Sequence, residues 1–110
     1  MNTQLLLENE KRMLNTIICV CQGREKQLLD ILLGNYPLPT SITDVCKQLD
    51  INQNNLMYSI LRNTRIFIDI DSIKYQGKPT HLAFGQQMMN VIKGQCLFNQ
   101  CACAAIPIST

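Results

Sequence analysis

The sequence predicts a single domain of the α+β class that is mostly helical. Apolar residues recur at helical spacing up to residue 64, and from residue 66 they alternate with polar ones, which is typical of a strand. Glycine and proline at residues 76–79 then mark a turn before a second short strand-like segment. The 110 residues suit one domain, and because 46% of them are apolar and 16% charged, a folded core is expected rather than disorder.

Two helices are predicted at the amino-terminal end, over residues 4–21 and 24–34. The apolar stripe of the first, at spacings of three and four residues, consists of Leu14, Ile17, Ile18 and Cys21. The stripe of the second consists of Leu28, Ile31 and Leu32. Because glycine ends helices readily, Gly23 either separates the two helices or bends a single long one.

The next two predicted helices, over residues 41–49 and 53–64, are joined by a very short connection. Ser41 and Asn52 suit the N-cap positions, and Asp44 lies where a capping box would place a partner for Ser41. The apolar stripe of the first of these helices consists of Ile42, Val45, Cys46 and Leu49. That of the second consists of Leu56, Met57, Ile60 and Leu61.

A β-hairpin is predicted after these helices. Its first strand is residues 66–75, which are rich in β-branched side chains, and its second strand is residues 80–84. A short C-terminal helix over residues 86–93 follows, and Gly94 is expected to end it. The remaining residues show no period.

The order of helix, helix, short turn, helix and β-hairpin is that of a winged helix-turn-helix domain, and it covers about residues 24–85. In this arrangement a short helix such as 41–49 braces the next one, whose outward face enters the major groove of DNA. We therefore expect a winged helix-turn-helix domain at residues 24–94. An extra N-terminal helix occupies residues 1–23, and residues 95–110 form a cysteine-containing C-terminal tail.

The outward face of helix 53–64 has the chemistry needed to read base edges. Asparagine and glutamine can bond adenine bidentately, and arginine can bond guanine in the same way. The candidate DNA-binding residues of this helix are Gln53, Asn54, Asn55, Tyr58, Ser59 and Arg62. Thr43 and Lys47 of the bracing helix are candidates for phosphate contacts, as are Lys74 and Lys78 of the hairpin.

At the level of fold, these features resemble the small winged-helix regulators of bacteria, including the short regulators of fimbrial operons. The resemblance covers about 45 residues. It is carried by the run Ile42-Thr43-Asp44-Val45-Cys46-Lys47-Gln48-Leu49, followed by the short turn, the recognition helix and a compact wing. It implies a transcriptional regulator that binds double-stranded DNA through helix 53–64. The wing departs from the usual pattern because it is weakly charged.

The charge of the chain leaves a second function open. A net charge of +2 permits a nucleic-acid partner without demanding one. Asp69 and Asp71 lie in the wing strand, and Asp44 and Asp50 lie near the bracing helix, where carboxylates would repel phosphate. The alternative is a winged-helix protein-interaction module, an adaptor or anti-regulator that does not bind DNA.

The first helix also predicts an oligomeric state. It is long, apolar on one side and not required by a minimal winged fold. We expect two copies of it to pack across a two-fold axis, giving a homodimer whose recognition helices lie about one DNA turn apart.

The six cysteines form three groups in the sequence: Cys19 with Cys21, Cys46 alone, and Cys96 with Cys101 and Cys103. Cys21 and Cys46 lie on apolar stripes and are expected to be small buried side chains. The groups lack a C-x-x-C element, so no metal or cofactor is assigned. For every cysteine except Cys46, metal binding, thiol sensing and an inert role stay open.

No enzyme is expected, because His81 is the only histidine and no grouping of nucleophile, base and carboxylate is visible. The amino-terminal residues lack the basic and apolar regions of a signal peptide, and no apolar run is long enough to cross a membrane. We therefore expect a cytoplasmic protein without a membrane partner.

Overall fold

The computed structural model describes the backbone of residues 3–105 and the side chains of residues 5–96. Its elements in chain order are α1 (Thr3–Ile18), α2 (Gly23–Asn35), β1 (Thr40–Ser41), α3 (Ile42–Leu49), α4 (Gln53–Asn55), a π-helical segment (Leu56–Ile60), α5 (Leu61–Thr64), β2 (Ile70–Tyr75), β3 (Lys78–Phe84) and α6 (Gln86–Ala105). We call α4, the π-helical segment and α5 together the composite helix, because they follow one another without a break. The predicted α+β class with mostly helical content is confirmed.

The first two helices are separate rather than one bent helix. Helix α1 ends at Ile18, three residues earlier than predicted, and the N–H of Cys21 donates to the carbonyl of Ile18 at 2.9 Å in the following turn. Gly23 begins α2 with a φ of 68°, a left-handed conformation that glycine adopts without steric cost. This glycine therefore redirects the chain between α1 and α2.

The connection between α3 and the composite helix is closed by backbone hydrogen bonds. Asp50 takes a left-handed φ of 54°, and the N–H of Ile51 donates to the carbonyl of Cys46 at 3.1 Å, as in a Schellman cap. Asn52 then caps the composite helix as predicted, because its Oδ1 accepts a hydrogen bond from the N–H of Asn55 at 2.7 Å.

The predicted capping box at the start of α3 does not form. Ser41 lies at the N-cap position, yet its side chain accepts no hydrogen bond from the helix. Instead its backbone belongs to β1 and pairs with His81 of β3. Sheet pairing therefore fixes the entry to α3 where a side-chain cap was expected.

One turn of the composite helix has π-helical bonding. The N–H of Leu61 donates to the carbonyl of Leu56, five residues earlier, so the turn contains one extra residue. Leu56, Ile60 and Leu61 are buried as predicted, whereas Met57, also expected in the core, is only partly buried. Met57 therefore lies at the edge of the core, between the buried Leu56 and the exposed Tyr58.

The sheet is antiparallel with strand order β1-β3-β2. Strand β2 begins at Ile70, not at residue 66, because the chain leaving α5 continues in turns; the N–H of Phe67 donates to the carbonyl of Thr64 at 2.9 Å. Only Gln76 and Gly77 separate the hairpin strands, both with positive φ, as a type I′ turn requires. The predicted four-residue turn was too long, and β1 was not predicted.

Helix α6 is longer than expected. Its backbone passes through Gly94 and continues to Ala105, so the prediction of a short C-terminal helix ending at Gly94 is wrong. A Cβ at Gly94 would meet no atom within 4 Å, which shows that this glycine faces open space within the helix. The side chains beyond Cys96 lie outside the described residues.

The core is continuous from α1 through α2 to the sheet and α6. Its completely buried leucines are Leu14, Leu28, Leu29, Leu56, Leu61 and Leu82. Helix α1 contributes Leu14 and Ile18 to this core, and the thiol of Cys96 in α6 lies 3.4 Å from the sulfur of Met13. Within the part of the chain that the structure describes, no helix combines the length and apolarity that a membrane crossing needs.

Candidate nucleic-acid interface

An open groove of about 710 Å³ separates the composite helix from the β-hairpin. The residues that line it are Gln53, Asn54, Met57, Tyr58, Arg62, Arg65 and Pro79. Four of the six candidate residues of the predicted recognition helix therefore meet in one concave surface. The three other lining residues, Met57, Arg65 and Pro79, were not among the candidates.

The π-helical segment affects which side chains face this groove. Asn54, Tyr58 and Arg62 follow one another at spacings of four residues, the usual repeat of one helix face. Because the π-helical turn contains one extra residue, residues that are five apart in the sequence also lie on the same face of the helix. Met57 and Arg62 have this spacing. Tyr58 is 77% exposed, so the ring projects from the helix instead of entering the core.

Arg65 connects the end of the composite helix to the hairpin. Its Nε donates to the carbonyl of Ile70 at 3.2 Å, and its Nη2 donates to the hydroxyl of Ser72 at 2.7 Å. The two bonds fix the direction in which β2 leaves the helix. Sequence analysis missed Arg65 because it follows the last helical residue and belongs to neither periodic pattern.

The two aspartates of the hairpin face α6. The Oδ2 of Asp71 accepts a hydrogen bond from the N–H of Gln86 at 2.9 Å, and the Oδ2 of Asp69 lies 3.4 Å from the backbone nitrogen of Met88, which donates to it. Carboxylates at this position satisfy free N–H groups and complement the positive end of the helix. These aspartates, which were expected to oppose phosphate binding, therefore have a capping role.

Gly85 makes this capping possible. Its N–H donates to the carbonyl of Asp69 at 2.7 Å, and a Cβ added to it would lie 1.9 Å from the Asp69 carboxyl carbon. A larger residue at this position would have to displace the Asp69 carboxylate. Gly85 just before a helix is the one sequence signal that pointed to this contact.

The composite helix and hairpin form a cationic surface. After Asp50 the sequence contains no acidic residue other than Asp69 and Asp71. The exposed cations of these elements are Arg62, Arg65, Lys74 and Lys78. Among residues 5–96 the one salt bridge joins Lys26 to Asp30 in α2, so these four cations have no carboxylate partner there.

The other candidate residues lie outside the groove. Asn55 and Ser59 are exposed on the composite helix but do not line it, and Thr43 and Lys47 are exposed on α3. Lys74 and Lys78 lie on opposite strands near the hairpin turn. The candidate surface thus consists of a central groove with separate flanks on α3 and the hairpin.

The cysteines with described side chains do not form a metal site. Cys21 and Cys96 are buried, Cys46 is partly buried, and Cys19 is exposed, with its thiol donating to the carbonyl of Thr16 at 3.0 Å. Burial raises the pKa of the Cys46 and Cys96 thiols, and Glu10 raises that of Cys96 further. No cluster of three metal-ligating side chains occurs within residues 5–96.

The structure assigns no role to the tail cysteines or to the single histidine. Cys101 and Cys103 lie outside the residues with described side chains, so a metal or redox role for them stays a prediction. His81 is partly buried in β3, where its Nδ1 lies 2.9 Å from the hydroxyl oxygen of Thr80.

The chain has no match among protein-family models, curated proteins or solved structures. Its function has to be inferred from the chemistry of its own surfaces. The groove combines two arginines, two side-chain amides and an exposed tyrosine, a composition suited to a polyanion that also presents hydrogen-bonding edges.

Proposed function

We propose that the chain is a winged-helix DNA-binding protein that regulates transcription. The composite helix enters the major groove of double-stranded DNA, and the β2–β3 hairpin is the wing. The observation that carries this proposal is the groove between them, with Arg62 and Arg65 on one side and no acidic residue in its lining. The element order, in which α3 precedes the composite helix and the hairpin follows it, supports the assignment.

Base reading is assigned to Arg62, near the end of the composite helix, and to the first turn of that helix. Gln53 and Asn54 are exposed there and can bond adenine, while Arg62 can bond guanine bidentately. Tyr58 lies between them and is free to contact a sugar or a thymine methyl group. Side chains that read bases need this exposure, because a buried amide would already be bonded within the protein.

Phosphate contacts are assigned to the residues around the groove. Lys74 and Lys78 extend from the wing, and Thr43 and Lys47 extend from α3. Arg65 both fixes the wing and adds positive charge beside the helix. Because Asp69 and Asp71 bond α6, the wing presents its lysines with little opposing charge.

The proposal is tested by selecting bound duplexes from a random-sequence pool and measuring their affinity over a range of salt concentrations. The logarithm of the affinity is expected to fall linearly with that of salt, with a slope of roughly −3 to −4 if four cations contact phosphate. Arg62→Ala is expected to relax sequence preference. Lys26→Ala, in the ion pair of α2, is the control. Absence of binding to any duplex at low salt would overturn the proposal.

A second candidate is a protein-interaction module that binds no DNA. The observation in its favour is a pair of neighbouring apolar side chains after the composite helix, with Ile66 75% and Phe67 68% exposed. The double variant Ile66→Ser, Phe67→Ser separates the two functions. Loss of partner binding in this variant, together with no binding of the wild type to any duplex, would favour the interaction module.

We further propose a homodimer, with an altered interface. Leu14 and Ile18 of α1, on which the expected dimer contact depended, are completely buried within the chain. We place the contact between copies at the amino-terminal part of α1, where Leu5 is 41% exposed. Light scattering should give the mass of a dimer at micromolar concentration, and Leu5→Glu should give that of a monomer. A monomeric wild type would exclude the dimer.

A further inference from the structure

A small cavity lies on a different part of the molecule from the groove, between the end of α2, strand β3 and helix α6. Its volume is about 120 Å³. Its inner wall consists of the buried side chains Leu32, Tyr36, Phe84 and Met89. Leu38, which is 71% exposed, lies at its edge.

Two aromatic rings hold the inner wall in place. The rings of Tyr36 and Phe84 meet edge to face, with centroids 6.0 Å apart and an interplanar angle of 62°. The hydroxyl of Tyr36 donates to the carboxylate of Glu10 in α1. Because Tyr36 is held from both sides, the cavity is already formed before anything enters it.

The cavity contains one charged lining residue, Lys93 of α6. Lys93 is exposed, and within residues 5–96 its ammonium group has no carboxylate partner. It follows the buried Met89 by four residues, so the cation and the apolar wall share one face of α6. The side-chain amide of Gln86, also in the lining, donates to Asn90 at 2.8 Å and is already engaged.

We propose that this cavity binds a small carboxylic acid with an apolar body about the size of one six-membered ring. A closed apolar cavity of about 150 Å³ accommodates benzene, so this cavity of about 120 Å³, which is open at one side, takes an apolar body of at most one ring or a short branched chain. The apolar body contacts the wall formed by Leu32, Phe84 and Met89, and the carboxylate pairs with Lys93. This site does not depend on DNA binding.

The test uses benzoate as the probe and benzyl alcohol as its neutral counterpart of similar shape. Each is titrated at low salt into the full-length, ¹⁵N-labelled protein while backbone amide shifts are recorded. Benzoate should bind saturably, with the largest shifts at residues of the cavity wall. Benzyl alcohol should bind about three- to tenfold more weakly, because the ion pair is partly exposed to water.

Variants identify the two parts of the site. Lys93→Gln, a change at an exposed position, should weaken benzoate to the level of benzyl alcohol. Lys26→Gln, at a lysine of α2 that lies outside both the cavity and the groove, should leave the affinity for benzoate unchanged. Ala83→Val narrows the cavity from the side of β3 and should weaken the binding of both probes.

Equal affinity for the two probes would overturn the carboxylate assignment. No saturable binding below 10 mM, or shifts centred elsewhere, would overturn the site.

Discussion

The carboxylate of Asp71 in β2 lies 2.9 Å from the backbone nitrogen of Gln86, the first residue of α6, and accepts its hydrogen bond. Strand β2 belongs to the proposed wing, whereas α6 packs on α1 at the other side of the core. This bond and that of Asp69 therefore join the wing to the body of the domain. They also account for two acidic residues in a segment otherwise rich in cations.

The first prediction concerns this cap. Asp71→Ala leaves the N–H of Gln86 without its acceptor and should lower the free energy of unfolding by about 1 kcal/mol, as the loss of a helix cap does. Asp71→Asn is the matched control, because it keeps an acceptor oxygen and removes only the charge. Urea unfolding of the two variants measures the difference, and equal stabilities of wild type and Asp71→Ala would contradict the capping role.

The second prediction compares two glycines. Gly85→Ala places a methyl group where the Asp69 carboxyl lies and should cost roughly 1–3 kcal/mol, since either the carboxylate or the backbone must move. Gly94→Ala is the control: its Cβ meets open space inside α6, and helix propensity should raise stability by about 0.5–1 kcal/mol. Thermal unfolding should shift in opposite directions for the two variants.

The third prediction separates the two arginines of the groove, and it depends on the proposed DNA binding. Arg62→Ala should relax sequence preference and cost about 1–3 kcal/mol on the preferred duplex. Arg65→Ala should weaken all duplexes by a similar factor, because it releases the wing from the helix. Arg65→Lys should not restore affinity, since lysine cannot make both hydrogen bonds in the same geometry. Fluorescence anisotropy on a preferred and a scrambled duplex distinguishes these outcomes.

The fourth prediction concerns alkaline pH. Burial, together with the Glu10 hydrogen bond, raises the pKa of Tyr36 above its ordinary value of 10.0, and burial raises the pKa of Cys46 and Cys96 above 9.0. The folded chain holds these protons more tightly than the unfolded chain. The stability they contribute is therefore complete below pH 9 and is lost as pH rises from 9 towards their folded pKa values.

The measurement is urea unfolding at intervals between pH 7 and 11. Tyr36→Phe removes one of the three groups and should reduce the loss of stability above pH 10. The loss of stability that begins near pH 9 should remain in the Tyr36→Phe variant, because it comes from the ionisation of Cys46 and Cys96. A stability that is constant or rises over this range would contradict the burial of these groups.

The sequence predicted the helical elements well where an apolar stripe met a cap, as in α3 and the start of the composite helix at Asn52. It failed where a tertiary contact decided the outcome. Strand β1 has only two residues, Thr40 and Ser41, which is too short for any period and depends on pairing with β3. Gly94 was expected to stop α6, but a glycine without a capping turn does not end a helix.

The residues of the candidate site also fall into those that local sequence spacing predicted and those that depend on tertiary contacts. Gln53, Asn54, Tyr58 and Arg62 could be chosen from helical spacing, because they share the polar face of one helix. Arg65 could not, since its role depends on where the hairpin strand returns. The roles of Asp69 and Asp71 were also hidden, because charge alone does not show which way a strand residue faces.

The π-helical turn at Leu56–Ile60 has an evolutionary consequence. A helix that holds one surplus residue in a single turn can lose that residue and close into a continuous α-helix, while Asn54 before it and Leu61 after it keep their faces. Deletion of one residue within this turn should therefore be tolerated, whereas a deletion within α3 should not. A homologue that lacks the extra residue is then expected to align with this chain with a one-residue gap at this point.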